Sequence, residues 1–103
     1  MELQSQMDKV EEICRLIENE KEYMEELTGY LPELNQSISF ILECARDPEL
    51  LFVINEEFVL QALKDILYGM ERQDTVFLLD VLRYGLLEIY RYGKEELQSE
   101  GVK

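Results

Sequence analysis

Two pairs of carboxylates stand at a spacing that could hold a divalent cation. Glu22 and Glu25 make a Glu-x-x-Glu pair, and Glu71 and Asp74 make a Glu-x-x-Asp pair. Acids three residues apart share one face of a helix, and a hard cation such as magnesium accepts oxygen ligands alone. The surrounding residues argue against that chemistry. Asp74 stands where a helix needs a capping carboxylate, and Asp80 has Phe77 where a matching glutamate would have to be. With 23 acids in 103 residues, a pair at this spacing is expected from composition alone. No inward-facing group of acids is visible, so no metal site, catalytic residue or cofactor is expected.

The chain has no histidine, which removes Ser-His and Cys-His catalysis and the Glu-x-x-His ligands of di-iron bundles. Cys14 and Cys44 are the only cysteines. They are expected to be reduced, Cys14 as a small core residue. No cluster of lysine or arginine awaits a triphosphate. A metal-dependent all-helical nucleotide pyrophosphohydrolase is therefore the runner-up to a non-catalytic reading.

The formal charge is −13 and the acids are spread evenly: residues 1–46 carry 11 acids and 4 bases, residues 47–103 carry 12 and 6. Without a basic footprint, neither nucleic acid nor an anionic membrane surface is an expected partner. Such a surplus reads first as solubility; its sharper reading is a basic partner or nucleic-acid mimicry. The longest apolar run, Leu50 to Ile54, is far too short to cross a bilayer, and the N-terminus lacks the pattern of a secretory signal. These features predict a cytoplasmic protein of one domain.

The elements that would position these residues are helical. Leu3, Val10, Ile17, Met24, Leu31, Ile38 and Ala45 recur every seven residues, the seam of a long amphipathic helix. Lys21 interrupts this stripe and is expected to pair with Glu18 or Glu25. Gly29 and Pro32 predict a kink or break near Pro32, with one long kinked helix preferred to two. Asp47-Pro48-Glu49 reads as a helix opening, and 50–54 as a short, mostly buried helical turn or connector. Asn55 predicts the cap of a helix from Glu56 to about Glu71, turning Val59, Leu60, Leu63, Ile66, Leu67 and Met70 inward. Arg72-Gln73-Asp74 is a tight connection, and Asp74 would cap a last helix from Thr75 to about Leu97. The fold class follows: all-α, an antiparallel helical bundle of three to four helices.

The last helix repeats a triplet, Arg83-Tyr84-Gly85 and Arg91-Tyr92-Gly93. At 100° per residue its inward stripe is Leu78, Leu82, Gly85, Ile89 and Gly93. The small residues Ala62, Gly69, Gly85 and Gly93 therefore predict a close helix crossing. The arginines are expected to stack on Tyr84 and Tyr92. Val76, Phe77, Tyr84 and Leu87 project from the polar side, more apolar surface than a solvated face needs.

Residues 61–97, QALKDILYGMERQDTVFLLDVLRYGLLEIYRYGKEEL, carry a pattern D-x-x-x-L-x-D-x-L-x-Y in Asp74, Leu78, Asp80, Leu82 and Tyr84. The segment resembles the closing hairpin of an uncharacterised bacterial all-helical family. Through Gln73-Asp74-Thr75 it is also similar to the flagellin-export chaperones, which are four-helix bundles. That second resemblance implies a small chaperone that binds an amphipathic client segment before export. The sequence as a whole predicts a protein-binding module: an adaptor or small chaperone whose partner is another protein or a second copy. A homodimer is expected, with Val76, Phe77, Tyr84 and Leu87 at or beside the two-fold axis.

Overall fold

The computed structural model describes residues 1–98. Four helices run up-down-up-down, with no strand among the described residues: α1 is Leu3–Glu18, α2 is Met24–Arg46, α3 is Glu56–Arg72, and α4 covers 75–98. α4 is continuous but not uniform, because π-helical turns at Leu82–Leu86 and Lys94–Gln98 interrupt its α-helical segments. Side-chain pairs give the directions. Gln6 and Tyr30 join α1 to α2, Arg46 and Glu56 join the ends of α2 and α3, and Glu18 of α1 pairs with Arg83 of α4. No helix among the described residues is long and apolar enough to cross a membrane.

The first break lies at residues 19–23, not near Pro32. From Glu18 to Glu22 the chain offers no apolar side chain to a core, so continuing the helix would bury nothing. A hydrogen-bonded stop ends it. The amide of Glu20 donates to the Ile17 carbonyl at 3.1 Å and that of Lys21 to the Leu16 carbonyl at 2.8 Å. Glu20 takes the left-handed conformation this stop requires, φ 55°, without being glycine. Lys21 lies exposed in this connection rather than on a helical stripe. α2 then continues unbroken through Pro32, which is exposed. The missing amide leaves one carbonyl a turn earlier to water, which an exposed helix side tolerates.

Asp47-Pro48-Glu49 does not open a helix. Asp47 ends α2, and its Oδ1 accepts the Glu49 amide at 2.9 Å in a local turn. The apolar run that follows is mostly exposed rather than buried. Leu51 is 85% and Val53 75% exposed, and only Phe52 enters the core. Phe52 lies against the Tyr92 ring at 5.5 Å, and Tyr92 donates to the Val53 carbonyl at 2.6 Å. That bond ties the connector to α4.

α3 and α4 begin where the sequence marks them. Asn55 Oδ1 accepts the Phe58 amide and Asp74 Oδ1 the Phe77 amide, each at 3.1 Å. Gln73 between them is left-handed, φ 53°. α3 buries Val59, Ala62, Ile66 and Gly69, with Leu63 and Met70 partly covered. Leu60 and Leu67 are about half exposed, contrary to the expected inward face. Leu67 lines an open apolar groove between α3 and α2, beside Leu31 and Leu34.

Candidate functional site

Three places combine unusual chemistry with position. The first is a polar chain inside the bundle. Tyr30 donates to Gln6 Oε1 at 2.7 Å, and its hydroxyl lies 2.8 Å from that of Tyr90. Since the Tyr30 proton is used on Gln6, Tyr90 is the donor between the phenols. Gln6 Nε2 donates to Glu33 at 3.3 Å, and Lys9 reaches the same carboxylate oxygen at 2.6 Å. Ser37, fully buried, donates to the Glu33 backbone carbonyl at 2.8 Å. The network runs from the protein centre to the surface, and no buried side-chain polar atom in the described residues lacks a partner.

Burial raises the pKa of both Tyr30 and Tyr90, and carries Tyr30 well above the usual phenol range. Lys9 and Gln6 hold the Glu33 carboxyl below its usual value. Two neutral phenols and an ionised carboxylate already paired with a lysine are arranged to fix three helices, not to move a proton at neutral pH. Pattern reasoning missed this network. Tyr90 falls on the polar side of a uniform helical wheel, yet it is fully buried. The π turn explains the difference. At its end the Leu87 amide bonds the Leu82 carbonyl, five residues back. That turn holds more residues than an α-turn, so everything after it is rotated backward and Tyr90 swings inward.

The second place is Cys14. Burial pushes its thiol up to about 11, although the Arg83 guanidinium beside it pulls the other way. Arg83 is itself held by Glu18 at 2.6 Å. A buried thiol held protonated is unreactive. Nor do the arginines stack on Tyr84 and Tyr92. Arg83 goes to Glu18, and Arg91 goes to Glu88 and Glu95. Acidic neighbours are plentiful here, and a charge pair claims each guanidinium. The cation–ring contact that does form places Arg72 over Tyr68 at 5.3 Å.

The third place is the outer side of the α3–α4 hairpin, to which the structure brings some of the residues singled out by sequence. Val76 is 73% and Tyr84 71% exposed, while Phe77 and Leu87 are half-buried. The four do not form one patch. Phe77 turns toward α3 and meets Tyr68 edge to face at 5.7 Å. Leu87 turns toward α1, where it lines a shallow groove with Met7 and Arg83. Tyr84 borders this groove and a second one between α3 and α4, lined by Phe58, Ala62, Phe77 and Val81.

The small residues lie beneath this surface and at two other contacts. A Cβ on Gly85 would stand 3.6 Å from Ala62 Cβ, one on Gly69 2.8 Å from Leu78 Cγ, and one on Gly93 3.0 Å from Leu3 Cδ1. Gly69 and Gly85 thus face the α3–α4 crossing, whereas Gly93 faces α1 and α2. The paired acids go elsewhere. Glu22 accepts the Met24 amide at the start of α2, Asp74 caps α4, and Glu71 is exposed. Among the described residues no three acids or thiols gather as metal ligands would.

The fold and these sites define an all-α four-helix bundle with a polar interior chain and a partly apolar outer face. Comparison of the chain with protein-family models, curated proteins and solved structures finds no match.

Proposed function

We propose that this chain is a non-catalytic protein-binding module whose docking surface is the outer face of the α3–α4 hairpin. One observation carries the reading. Exposed Phe58 and Tyr84 line one groove with the half-buried Phe77, and exposed Tyr68 meets the Phe77 ring edge to face, on two helices whose opposite faces already fill the core. Covering large side chains of this kind contributes roughly 1.5–3 kcal/mol each when complete. A contiguous apolar surface on a small acidic bundle is what an interacting protein presents. The occupant is either a second copy of the chain, in a homodimer, or a segment of another protein, as in a small chaperone or adaptor.

A photo-crosslinking residue placed at 84, at 76 or, as a control, at 36 on the exposed side of α2 tests the surface in cells making the protein. Adducts are expected from 84 and 76 and not from 36. Equal yields at all three positions, or adducts from 36 alone, contradict the proposal, as does the absence of any adduct.

A further inference from the structure

The groove between α3 and α4 has walls of one character and a rim of another. Phe58, Phe77, Val81 and Tyr84 form the walls, and Ala62 and Gly85 form the floor. Asp65 on α3 and Asp80 on α4 stand at the rim, and no lysine or arginine lines the groove. Asp65 accepts only a neutral amide, from Gln61 Nε2 at 2.9 Å. Neither aspartate belongs to an ion pair among the described residues. Elsewhere the protein spends its cations on neighbouring acids, at Glu12, Glu18, Glu33, Glu56 and Glu88. These two carboxylates are left facing outward beside apolar surface.

The apolar track is also long. Past Phe58 it continues into a second groove with Val53, Ile89 and Tyr92. From Phe77 to Tyr92 α4 rises about 22 Å at 1.5 Å per residue, the length of a helix of about fifteen residues.

Resting on the docking reading above, we infer that this groove takes a basic amphipathic helix of another protein. Its apolar face lies along Phe58, Phe77 and Tyr84, and its lysines or arginines meet Asp65 and Asp80. The mode is a helix laid in a groove, with rim charges setting orientation and partner choice. A second copy fits less well. Two-fold pairing through the same face would bring Asp65 and Asp80 toward their own counterparts. The chain's ten bases are also scattered among 23 acids, with no basic helix to offer.

The test is titration at physiological salt with three synthetic peptides: an eighteen-residue leucine/lysine amphipathic helix, its leucine/glutamate counterpart, and the leucine/lysine peptide scrambled to abolish the apolar face. The first is expected to bind, the second not at all, and the third far more weakly. Tyr84→Ala with Phe58→Ala should weaken binding by about tenfold or more. Tyr84 is 71% and Phe58 46% exposed, so the fold is expected to be retained, which circular dichroism checks. Asp65→Asn with Asp80→Asn should weaken it by about threefold to tenfold. Glu25→Gln with Glu26→Gln removes the same charge from α2 and should change little. If the scrambled peptide binds as well as the amphipathic one, or the α2 control loses as much as the aspartate pair, binding is diffuse charge attraction and the inference fails. Light scattering separates the remaining cases. A parent that self-associates, and becomes monomeric on Tyr84→Glu, assigns the groove to a second copy; that overturns this inference and leaves the docking surface standing. A monomeric parent that binds none of the peptides overturns this inference, and crosslinking at 84 and 76 then decides whether the docking surface stands.

Discussion

Tyr30 and Tyr90 are not interchangeable, although their hydroxyls touch. Tyr30 gives its proton to Gln6 and receives that of Tyr90. Tyr30→Phe would strand the Gln6 carbonyl and the Tyr90 hydroxyl together and should cost about 2–3 kcal/mol, while Tyr90→Phe should cost about 1 kcal/mol. Urea denaturation of the two variants measures the order, and equal losses would contradict the donor assignment. The same phenols set the alkaline limit. Tyr30, Tyr90 and Cys14 all ionise less readily when buried than in the unfolded chain. The native state therefore keeps its protons longer, and its advantage is complete below the ordinary values of 9.0 for the thiol and 10.0 for the phenols. Stability should be level to about pH 9 and fall steadily above it. A urea midpoint unchanged to pH 11 would contradict the buried placement. Residue types alone could not reveal this network. Gln6, Tyr30, Ser37 and Tyr90 come from three helices, and nothing in their spacing marks them as partners. By contrast the capping residues Asn55 and Asp74 were readable, because a cap is a local bond within four residues.

At the scale of elements, the helices start at strong signals and stop at weak ones. α1 and α3 both end on a non-glycine residue in the left-handed region, Glu20 and Gln73. The absent glycine is why the first stop escaped a reading based on glycine and proline, which pointed to Pro32 instead. Glu20→Gly and Gln73→Gly should each raise stability by about 0.5–1 kcal/mol, since relief of left-handed strain exceeds the added freedom of the unfolded chain. Thermal melts would show the gain, and a loss at both sites would mean that these turns are not left-handed. The glycines within helices separate in the same way. Gly29 has no atom within 4 Å of a built Cβ, and at Gly85 the contacts are of ordinary length. Alanine at either should stabilise by up to about 1 kcal/mol through propensity. At Gly69 a Cβ would press on the fully buried Leu78, so Gly69→Ala should destabilise by about 1–3 kcal/mol. The reverse order in urea melts would place the α3–α4 contact elsewhere. The repeated triplet illustrates why like motifs diverge. Tyr92 latches the connector through the Val53 carbonyl, while Tyr84 stands free at the surface, because residues eight apart point in different directions on a helix and the π turn at Leu82–Leu86 changes the rotation between them further.

For the whole molecule, an all-α bundle was legible in apolar spacing; of the four residues singled out on the polar side of the last helix, Val76 and Tyr84 are exposed there, while Phe77 turns to α3 and Leu87 to α1. What the sequence could not show is how α3 completes that side with Phe58, Tyr68 and Asp65, since the pairing of two helices depends on their relative rotation. The central claim is that this composite face is where the protein meets its partner. The most direct measurement is a nitrogen–proton NMR titration of the labelled parent with the leucine/lysine amphipathic peptide. The account predicts shift changes confined to the α3–α4 side, around Phe58, Asp65, Phe77, Asp80 and Tyr84, with the acidic α1–α2 side around Glu25 and Glu26 unmoved. Shifts spread evenly over both sides, or concentrated at Glu25 and Glu26, would contradict it.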